Sequence, residues 1–161
     1  MSYSEFKKIC ESQIESQGSD SRLLEASHVW FSLANSHGYS YHFECLGRPL
    51  IQYPQDIVQL QEIISQVSPD LIIETGIAHG GSLVLSASML CLLDVMEGID
   101  PRLSKRKVVG VDIDIRPHNR KALDEHPLRF KMELIEGSSI LQRLLKKSEV
   151  MQMIQVLFLY V

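Results

Sequence analysis

An open α/β fold, with a doubly wound parallel sheet, is what this sequence predicts, and three observations predict it. Short apolar runs suited to buried strands recur at 71–73, 107–111, 130–135 and 154–161. Between them lie segments whose apolar residues keep helical spacing, so the strands must pair in parallel through crossovers. The first three runs end in acid, glycine or serine, as strands do when they open on a ligand crevice. Right-handed crossovers leave few topologies other than the doubly wound one.

The elements follow in order. Phe6, Ile9, Cys10 and Ile14 stand about a helical turn apart in a polar segment, which predicts a weakly amphipathic helix over 2–17. The run Gln17-Gly18-Ser19-Asp20-Ser21 breaks it, and Asp20 or Ser21 can cap a second helix over 22–34. From Asn35 to Pro54 the pattern is irregular and rich in rings (Tyr39, Tyr41, Phe43, Tyr53), a structured loop leading into the core. Pro54-Gln55-Asp56 starts a helix, carried by Ile57, Leu60, Ile64 and Val67 and stopped at Ser68-Pro69. The first strand, Leu71-Ile72-Ile73, runs into Glu74-Thr75-Gly76. A helix apolar nearly all round spans 82–95, and a polar loop spans 98–106. The second strand, 107–111, ends in Asp112-Ile113-Asp114, and a short helix covers 117–124. The third, 130–135, ends in Glu136-Gly137-Ser138-Ser139; a helix over 140–148 and a fourth strand over 154–161 complete the expectation. The division expected is a helical and loop extension over 1–53 and a Rossmann-like domain over 54–161.

Composition excludes several classes. With 161 residues, 45% of them hydrophobic and 22% charged, the chain can build a sizeable core and is neither disordered nor fibrous. A net charge of -4 without a basic run speaks against nucleic acid as a partner. Cys10, Cys45 and Cys91 are widely spaced, which predicts no disulfide framework and no structural zinc. The first residues lack the apolar core of a signal peptide. The most apolar stretch, 83–95, is broken by Ser86, Ser88 and Asp94 and is too short to span a bilayer, so a cytoplasmic protein is expected.

The chemistry gathers at the strand ends. Gly76, Ala78, Gly80 and Gly81 let the backbone approach a ligand, and the helix opening at Ser82 offers free N–H groups. An acid at the second strand end, Asp112, can accept both hydrogen bonds of a ribose diol. Gly137, Ser138 and Ser139 leave room for a flat base. The pattern describes a nucleoside-containing cofactor. Gly76-Ile77-Ala78-His79-Gly80-Gly81 formally fits a dinucleotide GxAxxG, which keeps a nicotinamide-dependent oxidoreductase open. Against it, Asp112 lies 31 residues beyond Gly81 where about 20 are usual. Glu74 would also face a pyrophosphate unfavourably, whereas it suits the ammonium of a methionine tail. The E-x-G-x-x-x-G pattern of S-adenosylmethionine (SAM) sites is therefore preferred. Blander roles stand beside each of these. Glu74, Asp112 and Asp114 can act as helix caps, as can Ser138 and Ser139, and His79 can be a plain loop residue.

Several motifs together resemble the cephalosporin hydroxylase / rhamnosyl O-methyltransferase family. They are Gly47-Arg48-Pro49-Leu50-Ile51-Gln52-Tyr53-Pro54-Gln55-Asp56, Pro69-Asp70-Leu71-Ile72-Ile73-Glu74-Thr75-Gly76-Ile77-Ala78-His79-Gly80-Gly81-Ser82, Val109-Gly110-Val111-Asp112-Ile113-Asp114-Ile115-Arg116 and Ile135-Glu136-Gly137-Ser138-Ser139. The likeness spans roughly 30–158. It implies a class I methyltransferase fold, SAM as cofactor, and methyl transfer to a hydroxyl of a small molecule or sugar. It further implies that Glu74, Thr75, Gly76, Ala78 and the Gly80-Gly81-Ser82 turn hold the methionine end, with Asp112 on the ribose and Gly137, Ser138 and Ser139 beside the adenine.

The same resemblance implies a divalent metal such as magnesium (Mg), held by acids after the fourth and fifth strands. Here the sequence departs from the pattern: a Leu-Asp ending is expected where Val156-Leu157-Phe158-Leu159-Tyr160-Val161 stands. Tyr160 occupies the place of the first carboxylate and is a poor ligand for a hard cation. The expectation is a domain truncated after its fourth strand, without the metal ligands and with impaired catalysis. An exposed apolar edge strand would make it prone to pair as a homo-oligomer or with another chain. A non-catalytic interaction domain is accordingly the other alternative. Arg48 is expected to anchor its loop by a salt bridge, and no residue is assigned as a catalytic base.

Overall fold

The structure, a computed structural model, describes residues 1–137 and the backbone of 156–160. The chain forms two compact units, Met1–Tyr39 and Ser40–Val161.

The first unit is a pair of helices, α1 (Tyr3–Ser19) and α2 (Ser21–Ser36). Ser2 and Glu5 cap α1 reciprocally: the Ser2 N–H donates to Glu5 Oε2 at 2.6 Å and the Glu5 N–H to Ser2 Oγ at 3.3 Å. Asp20 ends α1 and caps α2, its Oδ1 accepting from the N–H groups of Arg22 and Leu23. Neither helix has a buried residue, and the Trp30 ring meets Phe31 and Tyr39 edge-on.

The second unit begins with an element the sequence did not predict. Residues expected to be irregular form an antiparallel hairpin, β1 (Phe43–Cys45) with β2 (Arg48–Leu50). Its turn places Leu46 at φ 46° and Gly47 at φ 82°, the two left-handed residues of a tight hairpin. Strands of three residues are too short to display an alternating pattern. The usual turn signal is also missing, since leucine stands where asparagine or aspartate is customary. These residues belong with the second unit, because β1 and β2 pack on the central helix α4.

The remainder is the expected α/β succession. α3 (Pro54–Val67) opens on its proline and ends at Ser68, which adopts φ 47° before Pro69. β3 (Leu71–Thr75), α4 (Gly81–Met96), β4 (Lys107–Asp112), α5 (Pro117–Asp124), β5 (Met132–Glu136) and β6 (Val156–Tyr160) follow. β5 begins two residues later than predicted, because Arg129–Lys131 form a 3-10 turn. The predicted helix over 140–148 lies outside the described residues. The sheet runs β5-β4-β3-β6, all parallel, with Thr75 in register with Val111 on one side and Tyr160 on the other. Winding thus reverses beside β3, which puts the crevice of a doubly wound sheet at its carboxyl end.

Over residues 81–90 α4 is apolar on nearly every side because it is covered there on nearly every side, whereas Leu92, Val95 and Met96 in its last turns are exposed. β4 lies against it on one side, and β1, β2 and α3 elsewhere. Leu83, Val84, Ala87 and Leu90 have no exposed surface. Burying each large side chain among them contributes roughly 1.5–3 kcal/mol.

At the amino ends of the strands a cluster of ions is buried. Asp94, near the end of α4, is fully enclosed, and Lys131 just before β5 nearly so. Asp94 Oδ2 accepts from Lys131 Nζ, and Oδ1 accepts from Ser104 Oγ at 2.8 Å and Arg106 Nη1 at 3.0 Å. Arg106 also donates to both oxygens of Glu97, at 2.9 and 2.7 Å. Burial pushes the Asp94 carboxyl up, but the hydrogen bonds from Lys131, Ser104 and Arg106 outweigh it and leave the pKa lowered.

Candidate functional site

At the opposite, carboxyl end of the sheet, β3 finishes on Glu74 and Thr75. Strand alternation turns Glu74 into the interior, where it has no exposed surface. Ser82 Oγ, on the first turn of α4, donates to Glu74 Oε1; Glu74 Oε2 has no hydrogen-bond partner. Among the described residues no cation faces this carboxyl. Burial pushes it up to about 7, and the Ser82 hydroxyl only partly offsets this. An enclosed acid left with an idle oxygen is a costly feature unless something else meets it.

From Gly76 to Gly80 the chain turns tightly over the strand ends. Gly76, at φ 79°, donates its N–H to the Val111 carbonyl on β4 at 2.9 Å. Ala78 sits at φ 41°, a left-handed conformation that costs an alanine roughly 1–2 kcal/mol. Gly80, at φ 83°, caps α4. Gly81 opens the helix, and a Cβ there would stand 2.2 Å from the Pro49 carbonyl oxygen, so its absence lets the hairpin lie against α4. Asp112, ending β4, reaches across: Oδ2 accepts from the Ile77 N–H at 2.8 Å and Oδ1 from the Asp114 N–H at 3.1 Å. The Gly137 N–H, past the end of β5, donates to the Asp112 carbonyl at 2.8 Å.

Arg48, expected to anchor its loop, and Asn119, which the sequence did not single out, hold this turn from the other side. Arg48 donates from Nε and Nη2 to the His79 carbonyl, at 2.9 and 2.6 Å, and from Nη2 to Asn119 Oδ1 at 3.0 Å. Asn119 Nδ2 donates to the Ala78 carbonyl at 2.9 Å. Arg48 therefore anchors the loop through carbonyls and an amide, and the salt bridge expected of it is not among its described contacts. Ala78, His79, Asp112 and Asn119, with the ionisable Asp114, Arg116 and His118, line a cavity of about 470 Å³.

Of the residues singled out in the sequence, Glu74, Thr75, Gly76, Ala78, Gly80, Asp112 and Gly137 lie at the carboxyl ends of β3, β4 and β5 or in the turns beyond them, and Gly81 and Ser82 in the first turn of α4. Ala78 and Asp112 face the cavity, whereas Glu74 and Ser82 pair beneath the turn. Ser138 and Ser139 lie outside the described residues. Among the described residues no three His, Cys, Asp or Glu side chains converge on a point where a metal ion could be held. No helix among them is long and apolar enough to cross a membrane.

Comparison with known proteins supplies a family. A family model for rhamnosyl O-methyltransferase/CmcI matches residues 37–159. A solved CmcI-N160 structure with SAH is similar at 16% identity and TM-score 0.45, covering 73% of this chain and 52% of its own. The CmcI-N160 apo structure is similar at 21% identity and TM-score 0.45, covering 73% of this chain and 45% of its own. The chain thus spans about half the length of these two structures. No curated protein matches it.

Proposed function

The chain belongs to the rhamnosyl O-methyltransferase/CmcI family, and from that premise we propose that it binds S-adenosylmethionine over the carboxyl ends of β3 and β4. It then supplies the cofactor half of an O-methyltransferase acting on a hydroxyl of a small molecule or sugar. The observation that carries this reading is Glu74: a carboxyl without exposed surface, one oxygen satisfied by Ser82 and the other by nothing. A cationic amino group is the ligand such an acid needs, and a methionine tail has one. A pyrophosphate would bring further negative charge to the same turn, so a dinucleotide fits less well.

When bound, the cofactor supplies an electrophilic methyl on a sulfonium. The remaining work is binding and orientation by this chain. Glu74 takes the ammonium as a carboxylate, with Ser82 fixing its rotamer. Asp112 keeps its two backbone hydrogen bonds and offers its remaining lone pairs to the ribose hydroxyls. Gly76 lets the turn pass close to the methionine end, and Gly137, past the end of β5, would border the adenine. Rate enhancement in such a transfer comes mainly from holding acceptor oxygen, methyl and sulfur in line.

Titration calorimetry of the purified chain with S-adenosylhomocysteine tests the assignment. Saturable binding at one site is expected. A correctly folded sample that gives no heat and no thermal stabilisation overturns it.

A further inference from the structure

Three consecutive residues of the turn are each held by a side chain from a different element. Asp112 of β4 accepts the Ile77 N–H, Asn119 of α5 donates to the Ala78 carbonyl, and Arg48 of β2 donates twice to the His79 carbonyl. Their order is enforced by chemistry. A guanidinium has donors only, so the Arg48 contact obliges Asn119 to present its oxygen there, which turns the Asn119 NH2 toward Ala78. Asn119 is almost fully buried, while Ala78 and His79 are exposed toward the cavity. The grip is thus rigid behind and open in front.

Resting on the cofactor assignment made above, we propose that Arg48 and Asn119 are positioning residues of the S-adenosylmethionine site, fixing the Ala78 and His79 carbonyls and so holding Ala78 in the left-handed conformation the cofactor meets. Left alone, an alanine at φ 41° relaxes to an ordinary conformation, and the turn loses the shape that lets it face a ligand. The β1–β2 hairpin is then a strap for the site rather than part of an unrelated extension.

The test compares the full chain with Arg48→Met, Arg48→Lys and Arg48→Met/Ala78→Gly. Two readouts are taken: affinity for S-adenosylhomocysteine and amide exchange at Gly80, whose N–H donates to the Ile77 carbonyl within the turn. Arg48→Met is expected to weaken binding and to speed Gly80 exchange by about tenfold each, with exchange in β3 and β4 unchanged. Arg48→Lys, with one donor group in place of a fork, falls between. Adding Ala78→Gly restores most of the affinity, because glycine takes the left-handed shape unaided. A merely structural Arg48 would lower stability without altering affinity and without rescue by glycine. If the parent chain binds and Arg48→Met binds as tightly, the positioning role fails and the cofactor assignment stands. If the parent chain does not bind, both fail.

Discussion

The two ends of the sheet handle buried charge in opposite ways. At the amino end Asp94 is enclosed, yet both of its oxygens are occupied, and Lys131 and Arg106 balance the carboxylates of Asp94 and Glu97. At the carboxyl end Glu74 is equally enclosed, with one oxygen idle and no facing cation among the described residues. The pKa shifts record the contrast, lowered for Asp94 and raised to about 7 for Glu74. At the amino end both Asp94 oxygens are met from within the fold, although Arg106 Nε makes no hydrogen bond, and removing one partner there is costly. At the carboxyl end Glu74 Oε2 is left without a hydrogen bond, and burial favours its protonated form.

The largest expected effect lies at the completed end. Lys131→Met removes a cation of similar length and leaves Asp94 Oδ2 enclosed and unpaired. Breaking a buried pair in this way costs about 3–5 kcal/mol, read as a lower urea midpoint. A loss below about 1 kcal/mol would mean the cluster is more solvated than its burial implies. Because the Asp94 pKa is lowered in the fold, its contribution is present at neutral pH. It is lost as the pH falls through and below the ordinary carboxylate range.

Glu74 should behave with the opposite sign. Its folded pKa of about 7 lies above the ordinary value of 4.5, so the fold prefers the protonated acid. Its contribution is complete below pH 4.5 and is lost as the pH rises through 7, a swing of about 3 kcal/mol. Glu74→Gln cannot ionise, although its amide leaves a buried N–H short of an acceptor. Relative to the parent, the variant is expected to gain on the order of 2 kcal/mol at pH 8, measured by thermal unfolding. Near pH 4 it should gain nothing. A variant less stable than the parent at pH 8 would mean that Glu74 already has a partner, and the contrast between the two ends would disappear.

How much of this was legible in the sequence follows from the range of the interactions. β3 and β4 were readable because a strand buried on both faces is a continuous apolar run. α4 was readable because its apolar stretch over 82–95 is local. The positions of Glu74 and Asp112 followed from the strand ends. The β1–β2 hairpin escaped because strands of three residues carry no period. Asn119, and with it the true partners of the anchoring Arg48, escaped for a related reason: the two meet across 71 positions of chain, and a side chain bonding a distant carbonyl leaves no mark on its neighbours. The glycines were legible as a group, but their roles were not. Gly81 reads as room for a ligand, whereas the described contact at that position is the Pro49 carbonyl.

The smallest effect concerns the ligand itself. If an ammonium group completes the Glu74 site, binding must first ionise the carboxyl. Affinity for S-adenosylhomocysteine should then be about tenfold weaker at pH 6 than at pH 8, or roughly 1.4 kcal/mol. The ionisable groups lining the adjacent cavity are the competing source of such a dependence. Glu74→Gln separates them, since its residual binding should show no slope over the same interval if Glu74 is responsible. A slope that survives in the variant means that a group other than Glu74 carries it. The idle oxygen beneath the turn would then need another partner.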